Sequence, residues 1–147
     1  MKSISLLGAT GSIGQQTLDI VKDHPEEFQI AALAAGKNIE KTTEIIRAFT
    51  PKLVSVQREE DALQLAKMFP KVDFTFGAKG LVDVATYSDS TVLLNAVLGS
   101  IGLESTLAAI RQKKSNCYCE QRNTRNSGAS CDGGSCEIRR AYFTCRQ

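Results

Sequence analysis

Residues Ile4-Ser5-Leu6-Leu7-Gly8-Ala9-Thr10-Gly11-Ser12-Ile13-Gly14 set a short apolar run against a G-x-x-G-x-x-G turn, and a helix-period segment follows from Ile13 to Val21. Ile4 to Leu7 reads as a strand. Glycines between a strand and a helix permit a tight turn and let backbone N–H groups approach a pyrophosphate, whose charge the positive end of the helix favours. Thr10 and Ser12 add hydroxyl donors. A merely structural loop is the alternative, but a second strand, Phe28 to Ala35, follows the helix, which completes the order a dinucleotide-binding unit requires.

Outward from that turn, apolar runs keep alternating with helix-period segments, the pattern of a parallel sheet flanked by helices. Helices are expected at Ile39 to Phe49, Glu59 to Met68, Gly80 to Thr86 and Leu103 to Arg111, and further strands at Leu53 to Val56, Val72 to Phe76 and Val92 to Ala96. The fold class is therefore α/β, a Rossmann-like doubly wound parallel sheet. Spacing turns Ile13, Leu18 and Val21 toward the sheet, along with Leu63 and Ala66 of the third helix and Leu107 and Ile110 of the last. The end of the second strand usually carries Asp or Glu where a ribose with free hydroxyls is bound. Here it reads Gly36-Lys37-Asn38. A lysine and an amide suit a ribose 2′-phosphate that a carboxylate would repel, so the expected cofactor is NADPH; by itself Lys37 would pass for a solvated surface charge. His24, the only histidine, precedes Pro25 at a helix end and reads as a surface residue.

The 147 residues suit one domain, and 42% hydrophobic with 23% charged residues is ordinary globular composition. A net charge of +2 gives no footprint for nucleic acid. Apolar stretches fall far short of the ~20 residues of a membrane span, and the start lacks a basic region followed by a long apolar run. A cytoplasmic location is expected.

Several segments together resemble one family, 1-deoxy-D-xylulose 5-phosphate reductoisomerase. They are Gly8 to Asp19 (GATGSIGQQTLD), Ala34-Ala35-Gly36-Lys37-Asn38, Asn95-Ala96-Val97-Leu98-Gly99 and Gly102 to Ile110 (GLESTLAAI), all within residues 1–114. The resemblance implies an NADPH-dependent oxidoreductase of the non-mevalonate isoprenoid pathway. Such an enzyme rearranges the sugar phosphate 1-deoxy-D-xylulose 5-phosphate and reduces the product to 2-C-methyl-D-erythritol 4-phosphate with the help of magnesium or manganese. By analogy Thr10, Gly11, Ser12 and Ile13 would bind the pyrophosphate side, Gly36, Lys37 and Asn38 the phosphorylated ribose, and Gly99 would line the nicotinamide end. The family is typically a homodimer, through regions this chain does not contain.

The resemblance stops at Lys114. Residues 115–147 hold all five cysteines (Cys117, Cys119, Cys131, Cys136 and Cys145), no Leu, Val or Lys, and a single isoleucine, Ile138. Such a stretch buries too little apolar surface to offset its ordering entropy, so a disordered tail is expected. The family's Ala-Asn-Lys-Glu and Leu-Pro-Val-Asp-Ser-Glu motifs are missing. Back-translation offers a reason. Displaced by one base, Ser115 to Ser130 permits Val-Ile-Ala-Ile-Ala-Asn-Lys-Glu-Thr-Leu-Val-Thr-Ala-Gly-His, Phe143 to Gln147 permits Leu-Pro-Val-Asp, and a Ser-Glu codon pair would supply a stop after Gln147. One extra adenine in the codons of Lys113-Lys114 gives all three. A zinc site or disulfide framework is the competing reading, but no C-x-x-C pair or nearby histidine stands there, and five cysteines are an odd number for bridges.

The expected organisation is thus an incomplete NADPH-binding domain at 1–114 and an aberrant cysteine-rich tail at 115–147. No catalytic residue and no metal ligand is assigned, and turnover is not expected of the chain alone. Loss of a sixth strand at the break is expected to uncover a sheet edge and apolar surface, favouring aggregation. The alternative is a stand-alone NADPH-binding or regulatory module whose cysteine tail holds a metal or a partner. Other oxidoreductases with this turn would need a catalytic cysteine or a Tyr-x-x-x-Lys pair, and residues 1–114 contain neither.

Overall fold

A computed structural model describes residues 1–97, 99–112 and 115–118, with backbone alone at 99–100 and 115–118. The six parallel strands are β1 (Lys2–Leu7), β2 (Phe28–Ala34), β3 (Leu53–Val56), β4 (Asp73–Phe76), β5 (Val92–Asn95) and β6 (Ser115–Tyr118). Helices α1 (Ser12–Asp23), α2 (Ile39–Phe49), α3 (Glu59–Met68), α4 (Gly77–Ala85) and α5 (Leu103–Arg111) connect them. The sheet runs in the order β4-β3-β2-β1-β5-β6. After β1 the chain builds outward on one side through β2 to β4, then returns to lay β5 against the other side of β1. That reversal is the topological switch point of a doubly wound sheet, and the crevice beyond its strand ends is where such folds bind ligands.

Both faces of the sheet are covered, so the strands carry apolar residues on both sides rather than alternating. On one face Ile4, Leu6, Leu33, Val54, Val56 and Leu94 meet Leu18 and Val21 of α1, Ile45 and Ile46 of α2, and Ala62 and Leu65 of α3. On the other, Leu7, Ala32, Ala34, Leu53 and Leu93 meet Val84 and Ala85 of α4 and Ala109 of α5. The register between β1 and β2 slips once, from Ile4↔Ile30 to Ser5↔Ala32. Ala31 is the extra residue. The bulge brings Ile30 and Leu33, three apart, onto the same face, which an unbroken strand of period two would not do.

Two helix faces differ from the reading of their spacing. In α3 it is Ala62 and Leu65 that are buried, and Leu63 is exposed. In α5, Ser105 and Ala109 face inward while Leu103, Leu107 and Ile110 stand outside, each about half exposed. The pair Ala62 and Leu65 packs α3 on the first face; for α5 the cause lies in the second face of the sheet, where small residues set the distance. A Cβ on Gly80 of α4 would lie 2.2 Å from Ser55 Oγ, so α4 sits close on β3, and α5 packs beside α4 through its own small residues.

The expected loss of the sixth strand is also corrected. Ser115–Tyr118 pairs with β5 in parallel from Val92↔Ser115 to Asn95↔Tyr118. Parallel pairing is made by backbone N–H and C=O groups, so strand formation does not wait on apolar side chains. The remainder of the cysteine-rich tail, residues 119–147, and the disorder expected of it lie outside the described residues. So do four of its cysteines, Cys119, Cys131, Cys136 and Cys145.

Candidate functional site

The turn after β1 is built from three glycines under different constraints. Gly8 adopts φ +84°, and a Cβ there would lie 2.7 Å from the Ala96 carbonyl oxygen. Gly14, inside α1, comes so near the turn that its Cβ would meet Gly8 O at 2.2 Å. Only glycine allows this strand, turn and helix to close on one another. Gly11 is different: it caps α1 with φ −79° and a Cβ there would just touch Gly8 O at 3.4 Å. It returns no side-chain hydrogen bond to the first turn of α1. The N–H groups of that turn have no intrahelical acceptors, and the helix dipole makes their end positive, so they are suited to an anion.

The turn is tied to the neighbouring strand. Gly8 and Ala9 N–H both donate to Ala34 O, at 3.0 and 2.9 Å, and Gly36 N–H donates to the Thr10 hydroxyl at 3.3 Å. The ends of β1 and β2 therefore hold one shape. Over them lies a cleft of about 560 Å³, within the range of small-molecule and cofactor sites. Thr10, Gly11 and Gly36 line it, together with Ser55, Val56 and Gln57 at the end of β3, Gly77, Ala78 and Leu81 of α4, and Ala96, Val97 and Ile101 after β5. Among the described residues, none that lines it carries an ionisable side chain. The cleft offers backbone donors, hydroxyls, one carboxamide and apolar walls, which are means of binding rather than of acid–base or metal chemistry.

Of the residues singled out from sequence, Thr10, Gly11 and Gly36 line the cleft. Ser12 and Ile13 open α1 directly after Gly11; Ser12 is exposed and Ile13 packs partly into the core. Lys37 is exposed immediately beyond Gly36. Asn38 has a structural duty: it caps α2, its Oδ1 accepting from Lys41 N–H at 3.1 Å. That bond occupies the oxygen and leaves the amide NH₂ as a donor. Gly99 opens a short 3₁₀ turn, Gly99–Gly102. The contributions of β3 and α4 were not read from sequence. Small residues at strand ends have no motif, and only the strand order reveals which ends converge.

Among the described residues one group could offer three metal-ligating atoms, His24, Glu26 and Glu27, all exposed. It lies past the far end of α1, about 18 Å from the helix start at 1.5 Å per residue. Among the same residues no helix is long and apolar enough to cross a membrane.

Strand order, glycine turn and cleft define a Rossmann-like α/β domain. Residues 4–118 match the family model for 1-deoxy-D-xylulose 5-phosphate reductoisomerase. The reductoisomerase of Lysinibacillus sphaericus strain C3-41 is 68% identical over 114 residues, which are 78% of this chain and 30% of that protein. Among solved structures, the Zymomonas mobilis reductoisomerase in complex with NADPH superposes with a TM-score of 0.74 at 29% identity, over 81% of this chain and 32% of that one. A reductoisomerase in complex with NADPH, fosmidomycin and magnesium gives 0.74 at 30% identity, over 79% and 29%. The chain belongs to the 1-deoxy-D-xylulose 5-phosphate reductoisomerase family, and it spans about a third of the length of these relatives.

Proposed function

We propose that this chain carries the NADPH-binding part of a reductoisomerase, whose intact form would rearrange and reduce 1-deoxy-D-xylulose 5-phosphate to 2-C-methyl-D-erythritol 4-phosphate in cytoplasmic isoprenoid synthesis. The observation that carries this reading is the cleft at the switch point, built around the start of α1 and, among the described residues, free of ionisable groups. Thr10, Gly11, Ser12 and Ile13 would hold the pyrophosphate by backbone N–H groups and hydroxyls. Gly36 would let the ribose approach, while Lys37 and the NH₂ of Asn38 would meet its 2′-phosphate. Gly99 and its loop would face the nicotinamide end. When bound, NADPH supplies the hydride for the reduction; the residues here bind it, orient it and wall it from water.

A divalent metal does not fit the described lining of the cleft, because among the described residues no carboxylate or imidazole lines it. The metal ligands and sugar-phosphate contacts are assigned to the two-thirds of the relatives that this chain does not span, as is dimer formation. The tail is read as the product of a one-base displacement at Lys113-Lys114, supported by the family motif Ala-Asn-Lys-Glu that the degenerate codons of the adjacent frame permit. Sequencing those codons from genomic DNA tests it: a run shorter by one adenine is expected, and an unaltered run overturns it.

Calorimetric titration of the 147-residue chain tests the cofactor reading. NADPH is expected to bind at least about tenfold more tightly than NADH, as one charge-assisted contact to the 2′-phosphate implies. No binding, or equal binding of the two, refutes it.

A further inference from the structure

The loop that follows β5 walls one side of the cleft through Ala96, Val97 and Ile101, and a single buried side chain holds both of its ends. Asn95, the last residue of β5, is only 1% exposed. Its Nδ2 donates to the Gly102 carbonyl at 3.2 Å and to the Thr106 hydroxyl at 2.8 Å, and its Oδ1 accepts from Val97 N–H at 3.1 Å. The orientation of the amide is fixed by its partners, since a backbone N–H only donates and a carbonyl only accepts. Thr106 donates in turn to Gly102 O at 2.8 Å. The amide also rests directly on the backbone, for a Cβ on Gly102 would lie 2.5 Å from Nδ2.

A carboxamide in this place is costly unless it is fully paired, whereas leucine, which precedes it at Leu93 and Leu94, would fill similar space without that cost. The amide is paired, and its partners lie at the two ends of the loop rather than in the core. We propose that Asn95, with Thr106 beneath it, is a positioning residue that presets the β5–α5 loop for the nicotinamide half of the cofactor. The inference rests on the cofactor reading above. The adenosine half would be held on the other side of β1, by Gly36, Lys37 and Asn38. A loop set before the ligand arrives spares the ligand the cost of ordering it, so loosening the clamp weakens only what the loop touches.

The test uses the full chain and the variants Thr106→Val and Asn95→Asp, with Thr106→Ser as the conservative replacement. Thr106 does not line the cleft, so its hydroxyl can be removed without touching the ligand. Each protein is titrated with NADPH and with adenosine 2′,5′-bisphosphate, which lacks the nicotinamide half. Thr106→Val and Asn95→Asp are expected to lose about fivefold to tenfold in NADPH affinity, the scale of one or two buried hydrogen bonds. Their affinity for the bisphosphate is expected to stay unchanged, and Thr106→Ser to match the parent. Equal losses for both ligands, no loss for NADPH, or failure of Thr106→Ser to match the parent overturns the proposal. Hydrogen exchange without ligand is the second readout: faster exchange confined to amides 96–102 supports the clamp, and unchanged exchange overturns it. A parent chain that binds neither ligand defeats the cofactor reading and this role with it. Normal binding of both by the parent, with no NADPH-selective loss in the variants, defeats this proposal alone.

Discussion

Gly14→Ala sets two opposed effects against each other, and the structure decides the sign. Inside a helix, alanine is favoured over glycine by about 1 kcal/mol. Judged by propensity alone, the substitution stabilises the protein. The added methyl would, however, lie 2.2 Å from Gly8 O and 2.8 Å from Cα and C of Ala9. All three are backbone atoms of the turn, held by the bonds from Gly8 and Ala9 N–H to Ala34 O, so no side chain can swing aside. Relief requires α1 to withdraw by about 1 Å, which pulls Leu18 and Val21 from the core. Overpacking of that kind costs about 1–3 kcal/mol, and with an immovable neighbour the upper part of the range applies. The net is a loss of about 1–2 kcal/mol, or about 3–6 °C in melting temperature for a chain of this size. Thermal unfolding followed by far-ultraviolet circular dichroism measures it. A melting temperature equal to or above that of the parent would refute the close helix-to-turn packing on which the site is built.

Gly11→Ala separates folding from binding: its φ of −79° suits alanine and the new contact is 3.4 Å, yet Gly11 lines the cleft at the start of α1, where the proposed reading puts the pyrophosphate. Melting should move by less than about 0.5 kcal/mol in equivalent stability, while NADPH affinity by calorimetry should fall about tenfold. Lys37→Ala should weaken NADPH about tenfold and leave NADH unaffected, because in the proposed binding mode only the former presents a 2′-phosphate to it. Ser5 Oγ is buried without a partner, so Ser5→Ala should leave stability unchanged or raise it by up to about 1 kcal/mol in denaturant unfolding; a large loss would mean that the hydroxyl is bonded. Lys52 Nζ lies 2.8 Å from Asp89 Oδ2, and their hydrogen bond, with the charges behind it, holds the Asp89 carboxyl below its ordinary pKa and lifts Lys52 above its own. The Asp89 contribution is complete above its unfolded pKa and fades as acid approaches the folded one; the Lys52 contribution is complete below its unfolded pKa and fades as alkali passes the folded one. Both groups are exposed, so Asp89→Asn should flatten both flanks of the stability–pH curve only slightly, and less still at high salt.

Much of the fold was legible because local chemistry and tertiary packing agree. The bounds of α2, β3, α3 and α5 match the reading of periodicity, and Asn38 does at the start of α2 what an amide does at helix starts. Where the reading failed, a neighbour had overruled the local pattern. Leu107 and Ile110 have the spacing of a buried stripe, yet α5 turns Ser105 and Ala109 inward because only small residues fit beside α4. The bulge at Ala31 left no trace in the residue string, as its only signature is a register slip against β1. The site divides in the same way. Its first turn announces itself because glycines stand at a fixed interval, whereas Ser55, Gln57 and Ala78 come together only through strand order.

The sixth strand shows which part of the fold resists a change of reading frame. The proposed displacement of one base at Lys113-Lys114 would alter the side chains beyond it, but a parallel ladder is written in N–H and C=O groups that every residue except proline provides. Ser115–Tyr118 accordingly lies in register with β5, and the family match extends through the same four residues. The cleft would be indifferent to the proposed displacement for a related reason: among the described residues its lining ends at Ile101, so its backbone, hydroxyl and carboxamide groups all precede it. What a displaced frame removes is chemistry that needs particular side chains at particular places, carboxylates for a metal above all. On the proposed displacement, binding and turnover are expected to part company at Lys113-Lys114: calorimetry should give an NADPH affinity close to that of an intact relative, and an assay of NADPH oxidation no turnover.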